Sequence, residues 1–265
     1  MGLKKIGTLI MLKAKIVGTG SYAPEKVLTN EALEKMVDTS DEWITERTGI
    51  KERRIASPDM AASDLAYEAS KKAVESAGIT TQSLDLIIVA TVSGDMPLPS
   101  TASILQNRLG CSTTPAFDIN AACSGFIYGL SIAESFIKSG KYKRILLAGS
   151  EVLSKMTNWQ DRTTCILFGD GAGAVVLEAH KGSSGIMSTH LYADGSLGDL
   201  LGVPAGGSRN PASEKTLKNK MHCIRMKGNE TFKVAVRALD SIVLETLKTN
   251  NLEPSQLAAL IPHQA

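Results

Sequence analysis

The stretch 117–130, FDINAACSGFIYGL, decides how this chain is read. A strand-like run over 115–119 leads into small residues, then into Cys123, Ser124 and Gly125. Beyond them Phe126, Leu130, Ala133 and Ile137 recur at helical spacing, which places Cys123 at or near a helix N-terminus. Unpaired backbone N–H groups and the positive end of the helix dipole stabilise an anion there. A thiol so placed is expected to shift toward thiolate, the reactive form. Ala121, Ala122, Ser124 and Gly125 are small enough to let a substrate or another backbone approach closely. Cys123 is therefore the candidate nucleophile.

Outward from this stretch, strands and helices alternate. Residues 86–91 (LIIVAT) and 144–148 (RILLA) are continuous apolar runs, the pattern of strands buried on both faces. Helical patterns occupy 61–77 and 100–109, each followed by a glycine. The alternation predicts an α/β fold with a mainly parallel sheet covered on both faces. A first strand at 14–18 runs into Gly18, Gly20 and Ala23, a GxGxxA spacing. A dinucleotide loop needs those glycines to open a helix, whereas Pro24 delays the next helix to about 30–36, so a plain turn is the preferred reading.

A short helix is expected over 39–50, capped by Ser40 or Thr39, with Trp43 and Arg47 on one face. That pair is either a surface cation–π contact or a plate and a charge for a nucleotide phosphate ester. Residues 151–157 read as helical. Residues 165–168 and 174–178 read as a hairpin around the glycine-rich 169–173, because a β-branched strand follows and no lysine closes a phosphate loop. The register restarts near 180–185, dividing the chain into 1–182 and 183–265. The second part is expected to hold a strand at 185–192, a Gly/Pro-rich loop, a strand at 221–226 and a long helix at 229–249. It closes on a buried strand at 257–261, with His263 just past its end.

Composition bounds the function. Charged residues make up 21% and aromatics 5% of 265 residues, a folded α/β balance, and the net charge of +2 is too small to imply nucleic acid. Cys111, Cys123, Cys165 and Cys223 form no CxxC pair, which favours reduced thiols and a cytoplasmic protein. The opening MGLKKIGTLIML has a short apolar run and no small-residue cleavage site, so it is not read as a signal peptide. Gly2 lacks the Ser or Thr that myristoylation needs, and Met11 is an alternative start. No run is long and apolar enough to span a bilayer.

A cysteine nucleophile needs a group to handle protons or hold an oxyanion, most often histidine. His180 and His190 flank the boundary and read as exposed or structural. His222 and Cys223 are adjacent on a strand and face opposite ways, so they are not a metal pair. His263 lies at the carboxyl end of a strand, where open α/β sheets place ligands. Spacing alone leaves it either Cys123's partner or a structural histidine.

Four segments together resemble a known family: TSDEWI (39–44) with RTGI (47–50), FDINAACSGF (117–126), FGDGAGA (168–174) and IPHQA (261–265). In order and spacing the chain resembles β-ketoacyl-[acyl-carrier-protein] synthase III from about Ala14 onward. The resemblance implies a thiolase-like fold of two similar halves in α/β/α/β/α layers, and a homodimer. It implies Cys123 as the acyl-accepting nucleophile and His263 as the decarboxylation histidine. Trp43 and Arg162 would sandwich the adenine of coenzyme A, with Arg47 and Thr39 at its phosphate end. Gly228, Asn229 and Phe232 would line the pantetheine tunnel. Leu98, Leu153, Leu167 and Phe168 would shape the acyl pocket, with Leu98 reaching the neighbouring subunit. Lys233, Gln264 and Ala265 would dock the acidic carrier protein, although a solvated helix face explains Lys233 equally well.

The implied reaction is a decarboxylative Claisen condensation of acetyl-CoA with malonyl-acyl carrier protein, with no metal or redox cofactor. The family's later Asn, in a Gly-Asn-Thr-Ser-like segment, and its closing strands have no counterpart in the 265 residues. The second half is thus expected to be incomplete and this chain to condense very poorly. Two alternatives stand beside this reading. One is another thiolase-fold enzyme acting on CoA thioesters, such as a 3-hydroxy-3-methylglutaryl-CoA synthase or a type III polyketide synthase. The other is a protein that binds coenzyme A or carrier protein without condensing.

Overall fold

In the computed structural model, which describes residues 12–264, the chain enters through β1 (Lys13–Tyr22), β2 (Lys26–Thr29), α1 (Asn30–Glu34), α2 (Asp41–Thr48) and β3 (Glu52–Ile55). There follow α3 (Ala62–Ser76), β4 (Leu86–Ala90), α4 (Thr101–Arg108), β5 (Ala116–Ile119), α5 (Gly125–Lys138) and β6 (Arg144–Val152). The remainder holds β7 (Asp170–His180), β8 (Leu201–Gly202), α6 (Glu214–Lys218), β9 (Arg225–Met226) and α7 (Gly228–Asn250). The readings made on 1–11 and on Ala265 lie outside the described residues.

Five strands form one sheet in the order β1-β7-β6-β4-β5. β4 lies between β6 and β5, and all five residues of its LIIVA run are buried, as a strand covered on both faces requires. Side chains alternate across it. Ile87 and Val89 join Leu105 of α4 and Ala66, Ala69 and Ala73 of α3 on one face. Leu86 and Ile88 join Ala133 and Ile137 of α5, with Leu147 and Leu177, on the other. Each fully buried Leu or Ile contributes roughly 1.5–3 kcal/mol, so this double layer holds the sheet together.

The sheet is mixed, which corrects the expectation of a mainly parallel one. β4 runs parallel to β5 and β6, but β7 runs antiparallel to both β6 and β1. The reason is the connection. Two parallel strands need a crossover, usually a helix, and between β6 and β7 the chain makes only turns and a single 3-10 turn, Leu153–Met156.

Several local readings change with it. The helix expected at 151–157 is the end of β6 followed by that 3-10 turn, because Glu151 and Val152 stay in the ladder opposite Gly171 and Asp170. The expected hairpin over 165–178 is turns followed by a single strand: Gly173 sits inside β7 paired with both β1 and β6, and Gly171 pairs with Glu151 of β6. The turn at Gly18 and Gly20 is likewise interior strand. A Cβ on Gly18 would lie 2.3 Å from the Ala73 carbonyl oxygen, and one on Gly20 would lie 2.2 Å from that of Ala69. These glycines let β1 press against the backbone of α3, and neither a turn nor a nucleotide loop is formed.

In the last third the strand expected at 221–226 shrinks to Arg225–Met226, paired with β8. The segments 185–192 and 257–261 form no strand, since no neighbouring strand among the described residues pairs with either. The second of these is not buried: Ile261 is 91% exposed. The long helix is present as α7, Gly228–Asn250. Among the described residues no helix is long and apolar enough to cross a membrane.

Substituting Gly18→Ala should destabilise the protein by about 1–3 kcal/mol, the usual cost of overpacking, because the obstructing atoms are backbone. Urea unfolding monitored by circular dichroism reads this directly. An unchanged midpoint would show that α3 can move off β1 at no cost.

Candidate active site

β5 ends at Ile119, and the chain turns into α5 through a 3-10 turn, Ala122–Ser124, that carries Cys123. The turn is tight. Ala122 sits at φ 46°, in the left-handed region, a conformation costing about 1–2 kcal/mol for a residue with a Cβ. Such backbone strain persists where the surroundings over-determine it. The surroundings here are close contacts of α5 with the sheet. A Cβ on Gly125 would be 3.1 Å from the Ala90 Cβ, and one on Gly129 would be 2.4 Å from a Leu147 methyl.

The sulfur opens onto a cavity of about 660 Å3 at the carboxyl ends of β4, β5 and β6. This is where ligands enter α/β sheets, and the size suits a small-molecule site. Cys123, Glu151, Leu153, Phe168 and His263 all line it, as do Phe126, Met156 and Ile224. Two residues singled out on different grounds, Cys123 and His263, thus share one wall.

The electrostatics of Cys123 differ from the expectation. Its residue surface faces the cavity, yet protein encloses the sulfur closely enough that burial pushes its pKa up. A hydrogen bond from its own backbone N–H opposes the rise, and the Glu151 carboxylate adds to it. The net effect favours thiol in the free protein, because in this cavity lost hydration outweighs the helix N-terminus.

Glu151 is the residue that sequence reasoning missed. Its backbone ends β6, and its carboxylate accepts from the Val92 N–H at 2.8 Å, the Ser93 N–H at 3.1 Å, the Thr91 hydroxyl at 3.4 Å and the Ser93 hydroxyl. Burial pushes its pKa above the ordinary carboxylate value, and those hydrogen bonds only partly oppose the rise. The signal was available: an acid closing the apolar run RILLAGSE, at the carboxyl end of a buried strand.

A second cluster surrounds Trp43. Ser40 caps α2 by accepting from the Trp43 N–H at 3.1 Å, and Gly49 ends the helix at φ 70°. The guanidinium groups of Arg47 and Arg162 lie 4.5 and 4.8 Å from the centroid of the Trp43 ring. Arg162 also donates to the Asp38 carbonyl at 2.8 Å. The hydroxyl of Thr39, just before the helix, is buried without a hydrogen-bond partner.

The other residues are more scattered. Leu167 packs partly buried in the small core under Trp43, and Leu98 is 85% exposed on the loop between β4 and α4; neither lines the cavity. Gly228, Asn229, Phe232 and Lys233 are exposed at the start of α7, and Gln264 is exposed beside His263. His190 is held by Glu245 at 3.0 Å and Ser188 at 3.1 Å, a structural arrangement. Among the described residues no group of three or more His, Cys, Asp or Glu side chains is placed to hold a metal ion.

Comparison with known proteins places this geometry. A family model described as 3-oxoacyl-[acyl-carrier-protein (ACP)] synthase III matches residues 117–195, which include Cys123 and Glu151. The chain is 57% identical over 254 residues to a β-ketoacyl-[acyl-carrier-protein] synthase III of Caldanaerobacter subterraneus, covering 96% of this chain and 77% of that protein. It is 56% identical to the like-named protein of Xanthomonas campestris, over 95% of this chain and 76% of that protein. The crystal structure of 3-oxoacyl-[acyl-carrier-protein] synthase III from Aquifex aeolicus superposes with a TM-score of 0.86 at 50% identity, covering 95% of this chain and 77% of that one.

Alkylation of Cys123 by iodoacetamide should rise with pH through a midpoint above the ordinary thiol value of about 8.5, because burial and Glu151 both disfavour the thiolate. Peptide-resolved rates across pH measure it. A midpoint at or below neutrality would mean that the helix N-terminus dominates instead.

Proposed function

The chain belongs to the β-ketoacyl-[acyl-carrier-protein] synthase III family, and on that premise we propose that it condenses acetyl-CoA with malonyl-acyl carrier protein through an acyl-Cys123 intermediate. Family membership makes it an acyltransferase, a condensing enzyme of fatty acid synthesis, with a thiolase-like fold. The observation that carries the finer reading is the single cavity lined by both Cys123 and His263.

In the first half-reaction the Cys123 sulfur gives up its proton and attacks the acetyl thioester carbonyl. The tetrahedral oxyanion is met by the Cys123 N–H and the start of α5. Collapse of the intermediate breaks the bond to coenzyme A, which leaves as its thiol with the proton. Because the free thiol is favoured, the thiolate has to form as the substrate closes the cavity. In the second half-reaction malonyl-carrier protein replaces coenzyme A. Carbon dioxide leaves, and His263 hydrogen-bonds the oxygen of the resulting enolate. The enolate carbon attacks the acetyl carbonyl, a C–C bond forms, and the Cys123 sulfur is released.

Trp43, Arg47 and Arg162 are the proposed seat for the nucleotide end of coenzyme A, with Thr39 supplying a buried hydroxyl that lacks a protein partner. For adenine to enter between Trp43 and Arg162, the arginine must lift off the ring it now covers at 4.8 Å. Leu153 and Phe168 border the acyl group beside Cys123. Gly228, Asn229 and Phe232 are proposed for the pantetheine arm, and Lys233 with the 264–265 end for the carrier protein. Leu98 and Leu167 complete the proposed acyl pocket, with Leu98 contributed to a neighbouring subunit of a homodimer. The exposure of Leu98 and its neighbour Met96 supports that assembly. A cytoplasmic location and a division at about 182 complete the reading.

Intact mass and peptide mapping after incubation with acetyl-CoA test the nucleophile: an acetyl group is expected on Cys123 and none on a Cys123→Ala variant. Acetylation at Cys111 or Cys165 instead would overturn the assignment. Trp43→Ala should raise KM for acetyl-CoA about tenfold with little change in kcat, since stacking binds ground and transition states alike. A loss confined to kcat would place Trp43 at the chemistry instead.

A further inference from the structure

Glu151 is a half-buried acid in the cavity wall that takes no part in the acyl transfer described above. Its carboxylate receives two backbone N–H groups and two hydroxyls, all from the loop after β4. A carboxylate accepts at both oxygens and has no proton to place, so two N–H groups that can only donate and two hydroxyls able to donate fit the ionised form, while burial acts against it. The side chain is also held in place. Ser93 accepts at its hydroxyl from the Val152 N–H at 2.7 Å, which ties the same loop back to the end of β6. The charge therefore cannot swing away from the cavity.

The lining is mostly apolar, with Phe126, Met156, Phe168 and Ile224, and its uncharged polar side chains are Asn120 and Ser150. Among the described residues the other titratable side chains in the wall are Cys123 and His263. A second negative charge entering here loses hydration and meets a fixed like charge at low effective dielectric. The same Glu151 charge already acts on the Cys123 sulfur, disfavouring its thiolate.

Resting on the reading of Cys123 as acyl acceptor, we propose that Glu151 determines acyl specificity by charge: it admits uncharged acyl chains to Cys123 and rejects those ending in a carboxylate. The consequence is an order of loading. A malonyl group is kept from acylating Cys123 and is left to serve as the carbon nucleophile, and its loss of carbon dioxide removes the repulsion.

Two alkylating agents of similar size separate the charge effect from acyl transfer. Iodoacetamide is neutral and iodoacetate is an anion. With either, the thiolate sulfur forms a bond to the CH2 carbon as the carbon–iodine bond breaks and iodide leaves. At one pH both draw on the same thiolate population, so their rate ratio at Cys123 reports the charge of the cavity and not the pKa. Normalised to the ratio for glutathione, the wild type should favour iodoacetamide by about tenfold, the scale of one like-charge contact across a partly hydrated wall. Glu151→Gln should bring the ratio close to that of glutathione, and Glu151→Asp should keep the preference. A wild-type ratio equal to that of glutathione overturns the proposal whether or not the Gln variant folds, as does an unchanged ratio in a folded Glu151→Gln. Acetyl-CoA and succinyl-CoA complete the test: acetylation of wild-type Cys123 without succinylation is expected, and succinylation should appear in Glu151→Gln. Failure of acetyl-CoA to label the wild type while the alkylation ratio holds would overturn the acyl-acceptor reading and support the charge filter alone.

Discussion

The close seating of α5 on the sheet is the constraint from which the site follows. Gly125 lies against Ala90 and Gly129 against Leu147, contacts that leave little or no room for a Cβ. This fixes the start of α5 just past the carboxyl ends of β4 and β6, and the chain must cross from β5 within a few residues to reach it. The left-handed Ala122 is the cost of that crossing, and the cavity-facing Cys123 is its result. A larger residue at either glycine would lift α5 and move the sulfur away from the strand ends that build the rest of the wall.

What surrounds the sulfur is a balance between opposing fields. The start of a helix favours an anion, while lost hydration at the cavity wall and a nearby carboxylate disfavour one, and the lost hydration prevails in the free protein. Reactivity is therefore conditional on substrate, which suits the proposed role of Cys123, taking an acyl group from one thioester and surrendering it to another. The same carboxylate holds the loop after β4 by four hydrogen bonds, so wall geometry and wall charge come from one side chain.

Much of this was legible in the residues. The runs LIIVA and RILLA announced buried strands, and Ser40, weighed with Thr39, announced the start of the helix that carries Trp43, whose end falls at Gly49, inside the expected span of 39–50. The position of Cys123 at the start of α5 was legible from the helical spacing that follows it. Strand direction was not, because β7 differs from a parallel strand only in its connection. The glycines were misread for a common reason. In a sequence they signal turns, whereas Gly18 and Gly20 exist for close approach of β1 to α3, and Gly171 and Gly173 line the cavity from inside β7. Residues 257–261 read as a buried strand from apolarity alone, yet burial needs a partner and those residues are exposed. Glu151 escaped notice because a lone acid at a strand end carries no motif, and only the convergence of β4, β5 and β6 shows what it faces.

The central claim is a division of labour in one cavity, with Cys123 serving the first half-reaction and His263 the second. Exchange of isotopically labelled coenzyme A into unlabelled acetyl-CoA, with no carrier protein present, isolates the first half. The account predicts exchange by the wild type, loss of exchange in Cys123→Ala and retention of exchange in His263→Ala. Exchange that survives in Cys123→Ala, or that disappears with His263, would contradict it.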